Sequence, residues 1–206
     1  GTAIVPGIPG AKEAYEKGIA VTSRELLQVT KLPKELVIIG GGVIGNEFAS
    51  IFNSLGSKVT IIEMAENIIG TMDQEVIDAY GKKLAKDGIE IIIKAAVTNV
   101  GTKDVTYEKY GKTHKVPADL VLIAVGIAPN TDAVSKLGLE MDGRGIKVNN
   151  KMETSVKGVY AIGDVTGKYM LAHVASAEGI VAVENIVLNA NKEVNYDQIP
   201  SAIYGS

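Results

Sequence analysis

At 206 residues the chain is long enough to bury a sizeable core, and roughly 150 residues per domain sets an expectation of one to two domains. With 46% hydrophobic and 22% charged residues and a formal charge of −3, the composition excludes a disordered chain and a basic nucleic-acid binder. Zero cysteines exclude a disulfide framework, a thiolate metal centre or a cysteine nucleophile built from these residues, and no run approaches the roughly 18 apolar residues of a membrane helix.

The 23 glycines against 5% aromatic residues point to tight turns and close backbone approach rather than to base-stacking surfaces. Gly1-Thr2-Ala3 carries no signal-peptide pattern, so the chain reads as intracellular. Gly1 and Tyr204-Gly205-Ser206 read as cuts in a longer chain.

Residues 1–20, with Pro6 and Pro9 among glycines, read as an extended lead-in. Thr22 or Ser23 then caps a short helix over Arg24 to Val29, which Pro33 stops. Leu36 to Ile39 is a continuous apolar run, the pattern of a strand buried on both faces of a parallel sheet. Val43 to Leu55 repeats its apolar residues at helical spacing and Gly56 ends it; Lys58 to Glu63 is a second buried strand. Strand, helix and strand within about thirty residues make the crossover unit of a parallel sheet.

A further helix is predicted over Asp73 to Asp87, with Thr71 and Gln74 at capping-box spacing. Ile89 to Val97 reads as a strand, Val105 to Tyr107 with Thr113 to Val116 as an exposed hairpin around Tyr110-Gly111, and Asp119 to Val125 as a buried strand. From about residue 130 a second unit begins, with a strand at Val159 to Ile162 and a helix from about His173 to Asn189.

Gly40-Gly41-Gly42-Val43-Ile44-Gly45 is G-x-G-x-x-G between a predicted strand and a predicted helix, the context a dinucleotide fingerprint requires. Gly40 permits the tight turn, Gly42 lets a pyrophosphate approach the backbone, and Gly45 lets helix and strand pack closely. The helix N-terminus adds N–H groups and partial positive charge for the phosphates. Glu63 lies 18 residues past Gly45 at the end of the second strand, placed to accept from ribose hydroxyls and to repel a 2′-phosphate. Its neighbours Met64, Ala65 and Glu66 supply no cation, so the reading is NAD rather than NADP.

Glu47, by spacing alone, is a dipole partner in the first turn of the helix. Of the two histidines, His114 falls in the hairpin as a solvated residue, and His173 opens the last helix as a capping or packing residue. Neither belongs to a hydrolytic or metal-ligand pattern.

Gly40 to Glu47, read with Leu55 to Thr60 and Glu63, resemble the pyridine-nucleotide-disulfide oxidoreductase family, and most closely its lipoamide-oxidising members. Thr71-Met72-Asp73, Ala124-Val125-Gly126, Pro129-Asn130-Thr131, Tyr160 to Val165, Met170 to His173 and Tyr196 to Pro200 follow in the family's order. The resemblance implies a flavoenzyme that oxidises dihydrolipoamide on the lipoyl domains of 2-oxo acid dehydrogenase complexes. Electrons would pass through a disulfide and FAD to NAD, in a homodimer of the cytoplasm, or of the mitochondrial matrix in a eukaryote.

It further implies cofactor contacts at Gly40, Gly41, Gly42, Val43, Ile44, Gly45 and Glu63, with Val97 by the adenine and Gly126 on the cofactor. Glu47 would lie near nicotinamide and flavin, Asp164 on FAD, and Met170, Leu171, Ala172 and His173 along the flavin. Ile127 stands where the family commonly has arginine.

The expected architecture is α/β: a Rossmann-like NAD(P)-binding domain over 21–129, its parallel sheet flanked by helices on both faces and crossed by a β-hairpin. Remnants of an FAD-binding domain would fill 1–20 and 130–206. The family's N-terminal flavin fingerprint, redox cysteine pair and C-terminal dimerisation domain have no counterpart in these residues, so they are expected to show no lipoamide activity and weak or no FAD binding. Competing readings are a glutathione-reductase-like or mercuric-reductase-like member, and a non-catalytic nucleotide-binding module.

Overall fold

The computed structural model describes residues 1–205. Two compact units are distinguished, one of Ala3–Gly126 with the segment from Ser201 onward, the other of Gly1–Thr2 with Ile127–Pro200. Strand β1 (Thr2–Ala3) opens the chain, followed by α1 (Ala11–Glu16), β2 (Ala20–Val21) and α2 (Ser23–Leu26). Then come β3 (Glu35–Ile39), α3 (Val43–Ser54), β4 (Lys58–Ile62), α4 (Gln74–Lys86) and β5 (Glu90–Ile92). Three antiparallel strands follow, β6 (Ala96–Val100), β7 (Asp104–Lys109) and β8 (Lys112–Pro117), before β9 (Leu120–Ile123) returns to the main sheet.

The main sheet is parallel throughout in the order β2-β9-β3-β4-β5. Its apolar strands are buried on both faces. Leu36 and Ile38, with Val59, Ile61 and Leu122 beside them, face Phe48, Ala49 and Phe52 of α3 and Ile77, Tyr80 and Leu84 of α4. Val37, Ile39, Ile62, Val121 and Ile123 face the other way, onto Ala11 and Ala14 of α1 and onto Val100, Val105 and Val116 of the antiparallel strands. A buried side chain of this size contributes about 1.5–3 kcal/mol, so these two layers are the main cohesive term of the unit. Helices flank both faces, and on the second face α1 shares the covering with the three-stranded sheet.

The smaller unit holds β10 (Ile127–Ala128), the antiparallel pair β11 (Met141–Asp142) and β12 (Gly145–Ile146), and α5 (Ala172–Leu188). Its core is Ile146, Val148, Met152, Ala161, Ala182 and Val194.

Several sequence expectations need correction. Residues 1–20 are not simply extended: Gly10 at φ 77° turns the chain into α1, whose only buried residues, Ala11 and Ala14, are too weak a stripe to read as a helix. Helix α2 runs only over Ser23–Leu26, with Thr22 as its cap. Thr71 caps nothing, because the N-cap of α4 is Asp73, which makes no side-chain cap hydrogen bond.

The run Ile89 to Val97 breaks into β5 and β6, turning at Lys94 with φ 53°. Val159 to Ile162 forms no strand beyond an isolated bridge between Glu153 and Tyr160. The hairpin is as expected, closed by Tyr110 and Gly111 at φ 51° and 70°, the two-residue turn whose twist matches its strands. Among the described residues no helix is long and apolar enough to cross a membrane.

Candidate functional site

Strands β3, β4 and β9 end side by side, and Gly40, Glu63 and Gly126 follow them. The carboxyl ends of parallel strands are where such sheets bind ligands. Gly40 sits at φ 109°, and a Cβ there would lie 2.4 Å from Ala124 O, so only glycine fits the turn. A Cβ on Gly45 would lie 2.2 Å from Gly40 O and 3.2 Å from the Ile38 side chain, so the first turn of α3 packs directly on the end of β3. A Cβ on Gly42, the N-cap of α3, would meet nothing within 4 Å. Open space therefore lies in front of the helix N-terminus, where Val43 and Ile44 begin α3 and the leading N–H groups lack intrahelical acceptors.

Glu63 is tied to the same loop. Its Oε2 accepts from Gly41 N–H at 2.6 Å and its Oε1 from Ala65 N–H at 2.6 Å. Its backbone joins the next crossover, accepting from Ala95 N–H at 3.0 Å just ahead of β6, the strand that carries Val97. Val97 is partly buried opposite Tyr107, whose ring stacks on His114 with centroids 5.2 Å apart. Burial, and then the charge of Glu90, push the Tyr107 hydroxyl up. Gly126, exposed at φ 133°, accepts from Ile4 N–H at 3.1 Å.

Glu47 is not in the first turn of α3. It lies beyond it, half-buried, and its Oε1 accepts from Tyr204 N–H at 3.0 Å. It shares a cleft of about 390 Å³ with Ser50, Ile51, Ser54, Leu55, Tyr204 and Gly205.

Met64, Ala65 and Glu66 supply no cation, but a lysine from elsewhere in the chain lies beside them. Lys94 donates its N–H to Ala65 O at 2.9 Å, and its Nζ lies 2.7 Å from Glu66 Oε1. The Lys94 ammonium holds the Glu66 carboxyl below its usual range, and Glu66 raises Lys94 in turn. The charge comes from the turn after β5, so the residues following Glu63 do not announce it.

Asn46 is a second omission. It is wholly buried, and its Nδ2 donates to Gly41 O at 2.7 Å and Gly42 O at 2.8 Å. The available signal was a polar residue directly after the third glycine, three residues ahead of buried Ala49 on the inner face of α3.

The remaining candidates belong to the smaller unit. Asp164 lies in a 3-10 turn over Gly163–Thr166, its Oδ2 2.5 Å from the Gly1 amino group. Met170 is half-buried, while Leu171, Ala172 and His173 are exposed at the start of α5. The turn is anchored by Glu178, also missed in the sequence. Wholly buried, it accepts from Gly163 N–H at 2.6 Å and from the Tyr196 hydroxyl at 2.8 Å. Burial, then this carboxylate, push the Tyr196 hydroxyl far above its usual range. Among the described residues no group of His, Asp and Glu is arranged to hold a metal ion.

The structure thus gathers Gly40 to Gly45, Glu63 and Gly126 at the carboxyl ends of the parallel strands of one unit, with Val97 on the neighbouring β6. Asp164 and Met170 to His173 fall in the other. The chain is 56% identical over 195 residues to the dihydrolipoyl dehydrogenase of Acholeplasma laidlawii, covering 95% of this chain and 58% of that protein. It is 38% identical to the dihydrolipoyl dehydrogenase of Mycoplasma pneumoniae, covering 96% of this chain and 44% of that one.

Among solved structures, the HOCl-induced flavoprotein disulfide reductase RclA from Escherichia coli superposes with a TM-score of 0.82 at 29% identity, over 95% of this chain and 45% of that one. The chain therefore spans about half the length of the relatives it matches. The model of the family described as pyridine nucleotide-disulphide oxidoreductase matches residues 1–179, and the chain belongs to that family.

Proposed function

We propose that this chain is the NAD-binding portion of a flavin-dependent disulfide oxidoreductase, with dihydrolipoamide as the substrate of the whole enzyme. On this reading Ala3–Gly126 is the NAD-binding unit and Ile127–Pro200 contributes to the flavin side. The partners of the whole enzyme are a second copy and the lipoyl domains of 2-oxo acid dehydrogenase complexes, in the cytoplasm.

The observation that carries the reading is the glycine loop, crowded at Gly40 and Gly45 and open at Gly42, with Glu63 bonded to its underside. That cradle fits a dinucleotide pyrophosphate. NAD, when bound, supplies the nicotinamide that accepts hydride. The chain's own part is to bind and orient. N–H groups at the start of α3 hold the pyrophosphate, Glu63 accepts from the ribose hydroxyls, and Val97 packs by the adenine.

For FAD the fit is partial. Asp164 and the segment Met170 to His173 offer contacts, but no second glycine fingerprint occurs among the 206 residues to take its pyrophosphate. With zero cysteines, these residues cannot exchange with a dithiol either.

Calorimetric titration with NADH and, separately, NADPH tests the reading. Saturable binding of NADH and much weaker binding of NADPH are expected. Gly45→Val, which drives a side chain into Gly40 O, should abolish NADH binding. Absence of NADH binding to the unaltered chain would overturn the reading.

A further inference from the structure

We propose that Asn46 is a positioning residue for the dinucleotide pyrophosphate, holding the Gly41 and Gly42 peptides so that the N–H groups of Gly42 and Val43 face the ligand. The inference rests on the NAD-binding reading above. Its physical basis is peptide planarity. In a trans peptide the C=O of one residue and the N–H of the next point in opposite directions. Asn46 Nδ2 draws Gly41 O and Gly42 O inward, at 2.7 and 2.8 Å, and this turns the two following N–H groups outward. Outward is the open space in front of Gly42.

Two further observations separate this from ordinary packing. Each carbonyl has a backbone donor as well, and the Asn46 side-chain amide is the group that bonds both and so fixes one peptide against the other. Gly41 O also accepts from Ile69 N–H at 2.7 Å, and Gly42 O from Asn46's own N–H at 3.1 Å. Meanwhile Asn46 Oδ1 is buried without a hydrogen-bond partner, an arrangement that costs stability. The amide cannot be turned over to relieve it, because Oδ1 would then face two carbonyl oxygens. A wholly buried amide that clamps two successive carbonyls of the glycine loop and leaves its own oxygen unpaired costs stability, and such costs cluster at functional sites.

The test compares the unaltered chain with Asn46→Leu and with Asn46→Ala, the smaller variant guarding against a clash in the first. Thermal melting is measured without ligand, and affinity is measured for NADH and for adenosine, which has base and ribose but no phosphate. Both variants should bind NADH about tenfold more weakly and adenosine unchanged, and Asn46→Leu should melt at or above the unaltered protein. Unchanged NADH affinity in the variants would overturn the proposal. So would parallel loss of NADH, adenosine and melting temperature, the pattern of a merely structural residue. Failure of the unaltered chain to bind NADH would instead overturn the functional reading beneath it.

Discussion

Because Lys94 leaves β5 at positive φ and donates its N–H to Ala65 O, its ammonium is held 2.7 Å from Glu66, beside the loop that carries the proposed ribose acceptor Glu63. A cation in that place is what a 2′-phosphate would seek, and Glu66 occupies it while adding its own repulsion. Glu66→Gln should therefore free Lys94. NADPH affinity is expected to rise roughly fivefold, the scale of an exposed ion pair, with NADH affinity changing less than twofold. Adding Lys94→Met should cancel the gain. An unchanged NADPH affinity in Glu66→Gln, read by competition against NADH, would show that Lys94 does not reach the ribose. At this scale the glycines and Glu63 were legible because their chemistry is local: a turn, a close approach, the end of a strand. Lys94 and Asn46 were not, since tertiary contact alone decides that a lysine some thirty residues on neutralises Glu66, or that an amide turns inward beneath a loop.

Helix α2 shows how an element of four residues keeps its place beside the sheet. Leu26 is buried in the first core layer, and the capping box holds the start of the helix. Thr22 donates both its hydroxyl, at 2.5 Å, and its N–H, at 2.9 Å, to Glu25 Oε2. The Thr22 hydroxyl bond is the main reason the Glu25 carboxyl lies below its usual value. A carboxylate whose folded pKa is depressed adds stability that is fully present above its unfolded pKa and is lost as pH falls through the folded value. Glu25→Gln should thus cost at most about 1 kcal/mol at pH 7, and the difference from the unaltered protein should shrink at acid pH as the carboxylate is protonated. Urea denaturation at neutral and at acid pH measures it, and a difference that persisted undiminished in acid would remove the carboxylate from the explanation.

The box was half-read in the sequence, with Thr22 one of two candidate caps and Glu25 passed over. The parallel strands were read from continuous apolar runs that only burial on both faces explains. Helix α1 and the break at Lys94 escaped for the opposite reason: neither two buried alanines nor a left-handed lysine stands out in the pattern.

Each compact unit has its own apolar core, and the two kinds of candidate residue divide between them, so a perturbation in either should be readable separately. Ligand binding stabilises the structure that holds it by mass action, about 2.7 kcal/mol at a hundred times Kd. NADH should therefore slow amide exchange most in the loop from Gly40 to Gly45, β4 and the turn at Lys94. It should leave Gly163, Asp164 and α5 at their ligand-free rates.

The smaller unit has a reciprocal handle in Glu178. Glu178→Leu strips Gly163 N–H and the Tyr196 hydroxyl of their acceptor in a buried place, a loss of about 3 kcal/mol. Exchange in that variant should quicken around Gly163 and Tyr196 while NADH still binds with unaltered affinity. If NADH slowed exchange equally in both units, or if Glu178→Leu weakened NADH binding, the dinucleotide site would not be complete within Ala3–Gly126.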